Sequence, residues 1–103
     1  MSVKVFIAQP IIGRTEEQIE EERASAVKAI SVMFGYDDIE VVNDICLDLS
    51  LKSLSKSISE IADANVIYFC KGWRQDVNCG ILYKIAVRYD LYTIESMLEE
   101  IKG

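Results

Sequence analysis

The chain has 103 residues, half of them hydrophobic, which suffices for one domain with an ordinary core. Its formal charge of -6 disfavours nucleic acid and anionic membranes as partners, because both attract positively charged surfaces. No apolar run is long enough to span a bilayer, and three cysteines without a CxxC spacing fit a reducing compartment, so we expect a cytoplasmic protein. The absence of histidine removes the commonest transition-metal ligand, and we expect neither a metal nor another cofactor.

The first half of the chain predicts two units, each a strand followed by a helix. Val3–Ala8 is typical of a first strand, and Thr15 suits the N-cap of a helix that ends at Gly35. Ile39–Val42 predicts the second strand and Leu51–Ala62 the second helix. The apolar positions expected to face the sheet are Ile19, Ala26, Ala29, Ile30 and Met33 in the first helix, and Leu51, Leu54, Ile58 and Ile61 in the second.

The second half repeats this order. Val66–Cys70 is a short apolar run that predicts a strand buried on both faces, and a polar turn follows it. A third helix places Leu82, Ile85, Ala86 and Tyr89 on one face. Leu91–Ile94 predicts a last strand and Ser96–Lys102 a terminal helix.

Because strands and helices alternate along the whole chain, we expect an α/β fold with helices on both faces of the sheet. The sequence predicts a single domain over residues 1–103, with a Rossmann-like or flavodoxin-like three-layer fold and a four- to five-stranded, mainly parallel sheet. The GxxxxGK[ST] loop of P-loop NTPases is absent, as is a GxGxxG motif after the first strand, which disfavours nucleotide hydrolysis and dinucleotide binding of those kinds.

Polar residues follow the carboxyl ends of the first three predicted strands, and ligands of open α/β sheets bind at that edge. We therefore expect a small-molecule site there. The candidate binding residues are Gln9, Gly13, Arg14, Asp44, Lys71, Gly72, Trp73, Arg74, Asp76 and Asn78.

Each type of candidate has a binding and a structural interpretation. Trp73 offers a flat face on which a nucleobase can stack, or it caps the core beneath a loop. Arg14, Lys71 and Arg74 can bind phosphate or ribose oxygens, or they are solvated surface charges. Asp76 can accept hydrogen bonds from sugar hydroxyls, or it is the N-cap of the following helix.

Three segments carry a family resemblance: the opening KVFIAQPIIGRTEEQI, the strand entry IADANVIYF and the block KGWRQDVNCGILYKIAVRYDL. Together they span most of the chain. They resemble the nucleoside 2-deoxyribosyltransferase-like superfamily, in particular its small bacterial and phage members.

Members of that superfamily cleave the N-glycosidic bond of deoxynucleosides or deoxynucleotides. They use a helix glutamate as nucleophile, and an aspartate or serine six residues earlier holds the sugar. The resemblance places Asp76 at the sugar-binding position, Leu82 at the position of the glutamate and Asn78 where the family has a glycine. A leucine can neither attack an anomeric carbon nor stabilise an oxocarbenium ion.

The resemblance therefore implies a protein that binds a nucleoside- or nucleotide-derived molecule without cleaving it. In a phage, such a protein would sequester a nucleotide signal of host defence. It also implies a homodimer or larger homo-oligomer. Two alternatives stay open: an N-glycosidase or deoxyribosyltransferase that acts through Asp76 with help from Asp44, and a protein-binding module that has kept only the fold.

Overall fold

The computed structural model describes residues 3–35, 38–45, 47 and 50–95. Strands and helices alternate through these residues, as the sequence predicts. The elements are β1 (Val3–Ala8), α1 (Glu16–Phe34), β2 (Ile39–Val41), α2 (Leu51–Ala62), β3 (Val66–Phe69), a 3-10 turn (Trp73–Gln75), α3 (Val77–Arg88) and β4 (Thr93–Glu95). The terminal helix predicted over 96–102 lies outside the described residues.

The four strands form one parallel sheet in the order β2-β1-β3-β4. This order is that of flavodoxin-like sheets, in which the chain leaves β1 toward one edge and later returns to build the other. With helices on both faces, the fold is a three-layer α/β arrangement of the Rossmann-like, flavodoxin-like type. The predicted fold class is confirmed.

The core has two layers because side chains along β1 alternate between the faces of the sheet. Phe6 and Ala8 pack with Ile61 of α2 and with α3, whereas Val5 and Ile7 pack against α1. Both faces of the two central strands are thus covered, which explains why their sequences are almost continuously apolar.

The two ends of α1 are as predicted. The hydroxyl of Thr15 accepts a hydrogen bond from the backbone N–H of Gln18, whose side chain accepts one from the backbone N–H of Thr15. This capping box satisfies N–H groups that the first helical turn leaves free. At the other end Gly35 adopts a left-handed conformation with φ of 67°, in which a side chain would be strained.

Some residues predicted to face the sheet do not. Met33 is 59% exposed, Leu51 78%, Tyr89 69% and Ile58 36%. The first three lie in or beyond a terminal turn of a helix. Helical spacing identifies the inward stripe but not how far along the helix that stripe is covered.

The remaining differences are at strand boundaries. Val42 and Cys70 follow their strands rather than belonging to them, and β4 begins at Thr93 rather than at Leu91. No described helix is both long and apolar enough to cross a membrane.

Candidate functional site

A cavity of about 330 Å³ opens at the carboxyl edge of the sheet. Its floor includes Phe6 and Ala8 at the end of β1, and one wall is the segment 43–45 that follows β2. The other walls come from one face of α2 and from the N-terminal turns of α3. The cavity therefore lies where parallel α/β sheets place their ligands.

Four of the ten predicted binding residues line this cavity: Gln9, Asp44, Asp76 and Asn78. Leu82, which the resemblance places at the position of a catalytic glutamate, also lines it and is 4% exposed. The wall at that position is thus apolar.

Asp76 has the N-cap role that one of its two interpretations predicts, and its position keeps the other open. It is the N-cap of α3, where its Oδ1 accepts a hydrogen bond of 2.9 Å from the backbone N–H of Cys79. It also lines the cavity. The helix terminus that would attract an anionic ligand in this fold therefore already carries the carboxylate of the protein itself.

The other six predicted residues do not line the cavity. Gly13 is an exposed turn residue with φ of 79°. Arg14 donates to the carbonyl of Pro10 at 2.6 Å and to the carbonyl of Lys71 at 2.7 Å. It also lies 3.5 Å from a carboxylate oxygen of Glu22. Arg14 thus joins the loop after β1 to the loop after β3.

Gly72 lies beside this junction and has φ of 84°, a backbone conformation in which a side chain would be strained. Gln9 continues the network, since its side-chain amide donates to Glu22 and to the carbonyl of Ile19. We call Arg14, Glu22, Lys71, Gly72 and Trp73 the loop cluster; Gln9 connects it to the cavity, which Gln9 also lines.

Trp73 is 5% exposed and lies beneath the loop. Its ring is 4.5 Å from that of Tyr83 and 5.0 Å from that of Phe69, centroid to centroid. The guanidinium of Arg74 lies 4.9 Å from the Trp73 centroid and donates a 2.7 Å hydrogen bond to Glu95. Trp73 therefore caps the core, and its ring is not exposed for a base to stack on; this part of the binding interpretation is wrong.

The cavity contains five polar residues that sequence reasoning missed. Four lie on α2 at the spacing of one helical face, and one lies on α1: Ser53, Lys56, Ser57, Glu60 and Arg23. The spacing on α2 was a usable signal, because a polar face opposite an apolar one covers solvent or a site. Arg23 gave no such signal among the charges of α1.

Arg23 is positioned by the loop after β2. The side chain of Asn43 bonds the backbone N–H and carbonyl of Ile7 at 2.9 Å each, and so continues the β-ladder. The carbonyl of Asn43 then accepts a hydrogen bond from Arg23. Burial lowers the pKa of the Arg23 guanidinium, although Asp44 and Glu60 nearby partly oppose this effect.

Glu60 lines the cavity from α2 and is partly buried. Burial raises the pKa of its carboxyl group, against the attraction of Lys56, while the charge of Asp44 adds to the increase. The charged form of Glu60 is therefore less stable in the folded protein than in water.

The thiols of Cys70 and Cys79 are buried, and burial is the main cause that raises the pKa of both. Neither is suited to act as a nucleophilic thiolate. Across the described part of the chain, no group of three or more cysteine or carboxylate side chains is arranged to hold a metal ion.

No protein-family model matches the chain, and no curated protein matches it. The function must therefore be argued from the cavity itself.

Proposed function

We propose that this protein binds a nucleoside, or a small molecule derived from a nucleotide, in the cavity and leaves the glycosidic bond intact. The observation that carries the proposal is the cavity at the carboxyl edge of the sheet, with an apolar floor and polar walls. At about 330 Å³ it lies at the lower end of the range of small-molecule sites, about 300–1,000 Å³.

The chemistry of the lining suits such a ligand. Asp76, Asn78 and Asp44 supply oxygen and amide groups that hydrogen-bond sugar hydroxyls. Phe6 and Leu82 supply the apolar surface that a sugar ring or a base covers. This combination of a mainly apolar pocket with a few convergent polar groups is typical of small-molecule sites.

The apolar wall at Leu82 is also the reason why we expect the glycosidic bond to stay intact. Double displacement at an anomeric carbon needs a carboxylate nucleophile beside the sugar. The resemblance puts Leu82 at the position of that nucleophile, and α3 contains no carboxylate from Val77 to Arg88. An apolar wall there holds a ligand without attacking it.

Thermal-shift and calorimetric titration with nucleosides, nucleotides and ADP-ribose derivatives tests the proposal. A ligand that binds the native state raises the melting temperature by mass action. We expect a shift with at least one ligand, and chromatography should recover that ligand intact. Absence of binding at high protein concentration would refute the proposal.

Hydrolysis is the second candidate, because the carboxylates of Asp44, Glu60 and Asp76 line one cavity. Inverting hydrolysis uses one carboxyl group as acid and a second as base for water, and a raised pKa at Glu60 suits the acid. Release of free base that disappears in Asp76→Asn and in Glu60→Gln would favour hydrolysis over simple binding. Intact ligand after prolonged incubation would exclude it.

A further inference from the structure

Besides Asp76, which caps α3, four charged side chains line the cavity without pairing with one another. Arg23 comes from α1, Asp44 from the loop after β2, and Lys56 and Glu60 from α2. The ion pairs in the described part of the chain are Arg14–Glu22 and Arg74–Glu95, so these four form none with each other. No ion pair between described residues therefore occupies these charges.

Arg23 and Glu60 are the two partly buried members of this group, whereas Asp44 and Lys56 are exposed at the rim. Arg23 has five N–H donors and gives one hydrogen bond, to the carbonyl of Asn43. Glu60 has no hydrogen bond from another described side chain. The cavity thus has a donor held by the backbone at α1 and an acceptor on α2.

The balance of charge disfavours a phosphate. Arg23 and Lys56 face three carboxylates, those of Asp44, Glu60 and Asp76, and the whole chain carries -6. Asp76 also occupies the N-terminus of α3, which is the usual anion site in such folds. A dianionic group would therefore meet like charges and no free helix terminus.

The cations predicted for phosphate are elsewhere. Arg14 bonds two loop carbonyls, and Arg74 pairs with Glu95. Lys71 does not line the cavity. The two cations that do line the cavity, Arg23 and Lys56, are accompanied there by three carboxylates.

We propose that Arg23 and Glu60 determine the specificity of the cavity by binding an uncharged ligand edge that presents an acceptor to the guanidinium and a donor to the carboxylate. The hydrogen-bonding edge of a nucleobase has this chemistry, with acceptors and donors side by side. Such an edge offers a hydrogen-bond partner to both Arg23 and Glu60, which are partly buried, and adds no charge. The inference rests on the proposed function and adds that the ligand is a nucleoside-type molecule without phosphate.

The test is calorimetric titration of inosine, uridine and cytidine and of their 5′-monophosphates, with wild type, Glu60→Gln and Glu20→Gln. Glu20 is exposed on α1 and does not line the cavity, so its variant carries the same change in net charge. We expect the strongest-binding nucleoside to bind wild type and Glu20→Gln at least about tenfold more tightly than its monophosphate. In Glu60→Gln the nucleoside should bind about tenfold more weakly, the factor for a lost charge-assisted hydrogen bond, and the preference should shrink.

The outcomes separate the two proposals. A monophosphate that binds wild type as tightly as its nucleoside, or a Glu60→Gln variant that behaves as Glu20→Gln does, overturns the inference and leaves the proposed function standing. Absence of binding by all six compounds, when the wider panel also gives none, overturns both. Circular dichroism of the two variants confirms that each is folded.

Discussion

The carboxyl edge of the sheet has two halves that differ in how their charges are used. Over the gap between β1 and β3, Arg14 and Glu22 of the loop cluster bond each other, nearby side chains or loop carbonyls. Over β1 and the loop after β2, Arg23 and Glu60 line an open cavity without an ion pair. The first half is closed by its own hydrogen bonds, and the second is open.

The difference teaches that residue type alone does not identify a site. Arginine, tryptophan and glycine in a loop beside the gap between β1 and β3 suggest a nucleotide site, because ligands of this fold bind there. Here the arginine bonds loop carbonyls and the tryptophan packs in the core, and the cavity lies beside them. We therefore expect substitutions in the loop cluster to lower stability and spare binding, and substitutions in the cavity to weaken binding.

The largest expected effect is that of Trp73→Ala. Removing a buried ring that packs on Phe69 and Tyr83 should lower the free energy of unfolding by about 3–5 kcal/mol, as for other large-to-small core changes. Urea unfolding measures it. Trp73→Phe should cost less, since it keeps a ring and removes the Nε1–H, which is buried without a partner. Ligand affinity of the folded fraction should stay unchanged; its loss would mean that the loop cluster belongs to the site.

Arg14→Met should have the next largest effect. It removes hydrogen bonds to the carbonyls of Pro10 and Lys71, and charge-assisted bonds of this kind contribute about 1.5–3 kcal/mol. Lys28→Met is the matched control on the exposed surface of α1 and should change stability by less than about 0.5 kcal/mol. Equal losses from both substitutions, by chemical denaturation, would show that Arg14 does not join the loops.

Glu60→Gln should stabilise the protein at neutral pH while weakening ligand binding. The pKa of Glu60 is raised on folding, so the folded state holds the proton more tightly, and stability falls as pH rises above 4.5 through the folded pKa. Burial is the main cause; Asp44 adds to it, and Lys56 and Arg23 oppose it. The neutral amide avoids this loss.

Melting curves from pH 4 to pH 8 check the sign. The variant should melt above wild type at pH 7, and the difference should shrink toward pH 4, where Glu60 is protonated. A variant that melts below wild type at pH 7 would show that Glu60 supports the fold rather than a ligand.

Arg74→Ala should have the smallest effect. Its ion pair with Glu95 measures 2.7 Å, but the two side chains are 57% and 32% exposed, and exposed pairs contribute about 0–1 kcal/mol. The loss should shrink further in high salt. A loss above about 2 kcal/mol, or weaker ligand binding, would show that Arg74 contributes more than a screened surface pair.

The fold could be predicted because its signals are local. Thr15 and Gly35 mark the ends of α1, and the apolar run at Val66 marks a strand buried on both faces. The parallel direction of the strands follows from the alternation of strands and helices along the chain. The errors at Met33 and Leu51, near helix ends, arose because local spacing carries no information on which turns of a helix are covered.

The site was predictable only in part. The carboxyl-end rule placed Gln9, Asp44, Asp76 and Asn78 correctly at the cavity. Arg14 and Trp73 do not line the cavity, because Arg14 bonds the carbonyl of Lys71, 57 residues away, and Trp73 packs on Tyr83 of α3. The rule also missed Arg23 and Glu60, because a helix residue joins a site only through the packing of that helix.

The most direct test of the central claim is a titration of the ¹⁵N-labelled protein with the nucleoside that binds most tightly, followed through backbone amide chemical shifts. If the cavity binds the ligand, the largest shifts will be at Asp44, Glu60 and Asn78, with little change at Gly72–Arg74. Shifts confined to Gly72–Arg74, or none at saturating ligand, would contradict the account.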